Sequence, residues 1–138
     1  MASRVRKVGY CYVTVPNRAG QGARVLEAIA ETGVNLTAFL GFPSKSGKAQ
    51  IDLIGEKLGP VRRIAARLGV RVSRNKKAFL IQGDDKPGAV ARIAKRLADV
   101  RINAVASAAV AAGGKRFGMI LWVRPKDYAR AARSLGAR

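Results

Sequence analysis

The amino-acid sequence predicts an α+β protein built as two consecutive βαββαβ units, each an antiparallel sheet with both helices on one face. The second unit lacks most of its last strand. Three observations predict this. The 138 residues repeat on themselves at an offset of 68. The segments that open each half are rich in β-branched and aromatic residues. The segments that follow carry apolar residues at i, i+3, i+4 and i+7, the spacing of one buried helix face.

At that offset Asn17-Arg18-Ala19-Gly20 falls on Asp85-Lys86-Pro87-Gly88, Val25 on Ile93, Ile29 on Leu97 and Asn35 on Asn103. Further along the offset becomes 67, and Leu68-Gly69 meets Leu135-Gly136. One unit is therefore expected in residues 1–75 and its twin in residues 76–138.

Residues 8–15 and 77–83 read as the leading strands, each ending in turn residues. Amphipathic helices follow: Val25, Leu26, Ile29 and Ala30 give the first its stripe, and Val90, Ile93, Ala94, Leu97 and Ala98 the second. Gly33 stops the first helix. Turn clusters at 43–47 and 111–114 join residues 35–42 to 48–54 and 103–110 to 116–123, so each pair reads as a hairpin. Val61, Ile64, Ala65 and Leu68 stripe the third helix, and Tyr128, Ala131, Ala132 and Leu135 the last. Residues 70–74 close the first unit as a fourth strand. This order is the ferredoxin-like split βαβ arrangement. The second copy of the fourth strand would begin at Ala137, one residue from the end of the sequence. The bare edge this leaves is expected to be covered by residues 3–7 or by a strand from another copy of the chain.

Composition narrows the function. There is no histidine, and Cys11 is the only cysteine, so the usual general base and the usual metal ligands are missing. Cys11 itself reads as a small core hydrophobe. Asp52, Glu56, Asp84, Asp85 and Asp127 have no titratable partner at a motif spacing. No enzyme, cofactor or metal is expected. Lys or Arg interrupts every apolar run well short of a membrane span, and the N-terminus lacks the pattern of a signal peptide, so a cytoplasmic protein without membrane contact is expected. The net charge is +19, from 27 basic and 8 acidic residues. Residues 1–75 hold 13 Lys/Arg and 4 Asp/Glu, and residues 76–138 hold 14 and 4, so by halves the charge is even.

Where each leading strand gives way to a helix, a Gly-containing turn carries Asn17, Arg18, Ala19 and Gly20, or Asp85, Lys86, Pro87 and Gly88. Glycine lets the backbone approach a small molecule, and free N–H groups at a helix start favour a carboxylate. Asn35 and Asn103 open the next strand and are expected close to the turn, offering a donor and an acceptor. The plainer alternative makes Asn17 and Asp85 helix caps and the other two asparagines turn residues.

A strand, then Asn-Arg-Ala-Gly or Asp-Lys-Pro-Gly, then a striped helix, then Gly-Val-Asn or Arg-Ile-Asn leading into a strand, resembles the ACT domain over nearly the whole chain. The resemblance implies a free-standing regulatory module that binds an amino acid or similar metabolite at interfaces between paired modules. It also implies a homodimer or higher homo-oligomer and a protein target of regulation. In serine-sensing members an Asn of the loop and an Asn opening the second strand hold the effector; the matching residues are Asn17 with Asn35 and Asp85 with Asn103. Ala19 stands where the family's proline would be.

The same strand order underlies RNA-recognition modules, so a basic nucleic-acid-binding protein is the runner-up. Residues 115–122 bear a faint likeness to their aromatic signature. Phe117 and Trp122, five residues apart, are expected on opposite sheet faces.

Overall fold

A computed structural model describes residues 3–138, which form two compact units: Gly9–Lys76, and residues 3–8 together with Lys77–Arg138. The boundary expected after residue 75 falls after residue 76, and the N-terminal segment belongs with the second unit.

In the first unit the elements are β1 (Arg4–Pro16, in this unit from Gly9), α1 (Gln21–Glu31), β2 (Ala38–Pro43), β3 (Lys48–Ile54), α2 (Leu58–Arg67) and β4 (Arg71–Val72). The strand order is β2-β3-β1-β4 with antiparallel pairing throughout. Alternation explains the layering. Cys11, Val13, Val15, Ile51 and Leu53 point to one face and pack against Val25, Ile29, Val61, Ile64 and Ala65 of the helices. Burying each aliphatic side chain contributes about 1.5–3 kcal/mol. β4 is shorter than the expected 70–74: the Ser73 N–H still donates to the Tyr12 carbonyl at 2.8 Å, but the Tyr12 N–H goes to the Ser73 Oγ at 2.9 Å in place of a backbone carbonyl.

The second unit runs β5 (Lys76–Asp84), α3 (Ala89–Asp99), β6 (Ala104–Ala111), β7 (Arg116–Val123), a 3-10 turn (Pro125–Asp127) and α4 (Tyr128–Leu135). Phe79, Ile81, Met119 and Leu121 meet Ile93, Leu97, Ala131 and Leu135 in its core. Phe79 also stacks on Tyr128, ring centroids 4.4 Å apart.

Its strand order is β6-β7-β5 followed by residues 4–8 of β1, so the chain's own N-terminal segment stands where the first unit has β4. Val5 is buried in the core beside Phe79 and Leu135. Ser3 lies against Gly83 so closely that a β-carbon there would meet the serine Oγ at 2.7 Å. On the outer side the Arg138 N–H donates to the Val5 carbonyl (3.2 Å) and the Lys7 N–H donates to the Arg138 carbonyl (3.0 Å). Of the two covers expected for this edge, the structure has the first.

Candidate functional site

The two strand-to-helix loops are built by the same hydrogen bonds, moved by 68 residues. The Asn17 N–H donates to the Gly47 carbonyl and the Asp85 N–H to the Lys115 carbonyl, each at 2.9 Å, which ties each loop to the hairpin turn of its own unit. The Gln21 N–H donates to Arg18 (3.2 Å) and the Ala89 N–H to Lys86 (3.1 Å). The residue before each helix is a left-handed glycine, Gly20 at φ 90° and Gly88 at φ 83°, a conformation in which a side chain is strained. No side chain caps either helix. Asn17 and Asp85 are therefore not N-caps, and the first-turn N–H groups lack intrahelical acceptors.

A groove opens at each junction. In the first unit it measures about 480 Å³ and is lined by Asn17, Arg18, Gly22, Ala23, Gly41, Phe42, Pro43 and Ala49, with Val15, Pro16, Leu26, Phe39 and Ile51 completing it. In the second it measures about 370 Å³, and Asp85, Lys86, Val90, Ala91, Ala109, Val110, Ala111 and Phe117 take the eight matching places. Val90 for Gly22 and Phe117 for Ala49 put side chain where the first unit has space. Both volumes suit a small metabolite, since ligand sites span roughly 300–1,000 Å³. Polar groups sit at one end, a guanidinium beside an amide in the first unit and an ammonium beside a carboxylate in the second. The rest is apolar.

Gly20 does not line the first groove, and neither Ala19 nor Pro87 lines its own; Gly88 lines the second. Asn35 and Asn103 are in neither. The register gives the reason. Asn17 follows Pro16, which pairs with Lys48 at the first end of β3, whereas Asn35 precedes Ala38, which pairs with Ile54 at the other end. Six residues of strand separate the two ends, about 20 Å. Asp84 pairs with Arg116 and Ala104 with Val123, so Asp85 and Asn103 are parted in the same way. The expected closeness of each Asn pair within one unit does not hold.

Sequence reasoning missed Phe39, Phe42 and Val110, which lie on β2 and β6 at the outer limit of each strand order and stay exposed, Phe39 by 55% and Val110 by 66%. Apolar residues without a single charge along 38–43 and 104–111 were the available signal. Phe117 is buried in the second core, so it is not displayed for base stacking.

Beside the second groove, Arg116 donates to the Asp84 carboxylate at 2.7 Å across the β5–β7 pair and holds its pKa below the usual range. Burial raises the Cys11 thiol, which makes it a poorer nucleophile still. Among the described residues no three Cys, Asp or Glu side chains are grouped to hold a metal ion, and no helix is long and apolar enough to cross a membrane.

No protein-family model and no curated protein matches the sequence. Solved structures do. The regulatory subunit of aspartate kinase from Thermus thermophilus, in its ligand-free form, superposes with a TM-score of 0.66 at 16% identity, covering 99% of this chain and 95% of that one. The regulatory subunit of aspartate kinase from Thermus flavus gives 0.63 at 19% identity, with 99% and 95% covered. The fold is the tandem ACT type. Protein BT0572 from Bacteroides thetaiotaomicron shares it at a TM-score of 0.78 and 16% identity, covering 97% of this chain and 88% of that one. Both units keep the strand-to-helix groove, and the edge strands β2 and β6 each form one wall of it.

Proposed function

We propose that the chain is a non-catalytic regulatory protein whose two grooves bind an amino acid or a similar small zwitterion. The observation that carries this reading is the groove's recurrence, wall for wall at an offset of 68, with an uncapped helix start and a cation at its polar end in both units. A carboxylate suits Arg18 or Lys86 and the helix N–H groups; an ammonium suits the Asn17 amide or the Asp85 carboxylate. Likeness of fold to two regulatory subunits supports the regulatory part.

Asn35 and Asn103 enter this reading only through association, because within one unit they stand a sheet's length from the loop. An ACT–ACT interface would bring the Asn35 end of one module to the loop of another, and an effector held there would favour that assembly to the extent that it binds it better. The protein regulated would respond to the assembly.

Isothermal calorimetry with the standard amino acids tests this. One of them is expected to bind wild type. Removing both loop groups, Asn17→Ala with Asp85→Ala, is expected to weaken it at least tenfold, about 1.4 kcal/mol. Asn35→Ala with Asn103→Ala is expected to do the same. Absence of heat with every amino acid overturns the reading.

A further inference from the structure

Charge that is even by halves is uneven by layers. In the second unit the helix layer and its flanking residues, 89–101 and 124–135, carry Arg92, Lys95, Arg96, Arg101, Arg124, Lys126, Arg130 and Arg133 against Asp99 and Asp127 alone. In the first unit the matching residues, 21–33 and 57–68, carry Arg24, Lys57, Arg62, Arg63 and Arg67 against Glu27 and Glu31. The layers thus differ, net +6 against net +3.

All eight cations of the second layer are exposed. The two acids are already engaged: Lys95 bonds Asp99 at 3.0 Å, while Arg130 and Arg124 hold the buried Asp127 at 3.2 and 3.7 Å. Arg92, Arg96, Arg101, Lys126 and Arg133 have no acidic partner among the described residues. Arg96 also reaches the Leu135 carbonyl at the end of α4, and Arg130 reaches the Val100 carbonyl at the end of α3, so the two helices are laced together beneath the charge.

We infer that this layer is a docking surface for the phosphate backbone of duplex nucleic acid. Six of the eight cations are arginines, whose planar forks match phosphate oxygens. The layer's one aromatic, Tyr128, is stacked on Phe79 and donates its hydroxyl to the Ala78 carbonyl at 2.8 Å, so it is not displayed for unstacked bases. That favours a paired, backbone-first ligand over a single strand. Val90 is the only large apolar residue exposed on these helices, which leaves little to insert into a lipid surface. The layer shares α3 with the second groove, whose lining includes Ala89, Val90 and Ala91, but none of its eight cations lines the groove, and the inference does not rest on the effector reading.

The test measures binding of the full chain to a mixed-sequence DNA duplex by fluorescence anisotropy across a salt series. With the five cations that lack an acidic partner engaged, the logarithm of affinity should fall with the logarithm of salt at a slope of about −4 to −5. The variant Arg92→Gln, Lys126→Gln, Arg133→Gln should flatten that slope by about 2 to 3. The matched variant Lys57→Gln, Arg63→Gln, Arg67→Gln, which removes the same charge from the first unit, should leave it nearly unchanged. Circular dichroism confirms that both variants are folded. Equal loss in the two variants, tighter binding to anionic lipid vesicles than to the duplex, or no salt-dependent binding by the wild type each overturns the inference. Effector calorimetry on Lys126→Gln, Arg133→Gln, which keeps Arg92 beside Gly88 of the groove, should be unaltered, so failure here and failure of the effector reading are separable.

Discussion

At the scale of single residues the repeat supplies its own controls. Two residues past the end of α1 stands Gly33 at φ 82°, and its counterpart past α3 is Arg101, held left-handed at φ 58°. Glycine adopts this conformation freely, whereas a β-carbon costs roughly 1 kcal/mol. Arg101→Gly should therefore raise stability by roughly 0.5–1 kcal/mol and Gly33→Ala lower it by a similar amount, both read from urea midpoints at unchanged slope. Gly33 could be read as a stop signal from sequence. Arg101 could not, because nothing in an arginine announces positive φ. Asp52 was equally illegible. It looks like a surface acid of β3, yet its exposure is 5%, and burial raises its pKa although the Gln50 amide and Lys76 pull the other way. A raised folded pKa means that the native state binds the extra proton, so stability falls as pH rises from the unfolded value through the folded one. Asp52→Asn should be more stable than wild type near pH 7, with the gap closing toward pH 3; thermal melts across pH check the sign.

The elements themselves were mostly legible, since alternation and helical spacing are local signals. β7 begins and ends where the pattern placed it, and four helices form where the stripes were read, although in α3 Val90, Ala94 and Ala98 are exposed and Ala89, Ile93 and Leu97 form the buried face. The front of β1 was legible only as one of two covers for the bare edge of the second unit. Residues 4–8 read Arg-Val-Arg-Lys-Val, and their charges conceal a strand whose inward residue, Val5, completes a core formed more than seventy residues later. Val5→Asp places a carboxylate in that core, a change expected to cost several kcal/mol. Hydrogen exchange should then show protection falling across residues 77–138 before it falls across 9–76. Matched losses in the two regions would contradict the place assigned to this strand.

At the scale of the whole molecule, the duplication made the fold readable, because each half vouches for the other. The candidate site was half readable. The loops sit where the motif put them, but the sheet register carries Asn35 and Asn103 away from them, a long-range fact that no short motif contains. If each site is completed by a second copy, mixing the Asn17→Ala, Asp85→Ala protein with the Asn35→Ala, Asn103→Ala protein should restore part of the calorimetric signal that each lacks alone. A mixture as silent as its components would place all binding groups within one copy. The strand supplied by residues 4–8 has a last consequence, for biosynthesis. A ribosome releases these residues before any of the strands they join in the second unit, so the nascent chain must carry them unpaired until β5 and β7 emerge. A strand made early is thus secured only once partners more than seventy residues further along have left the ribosome.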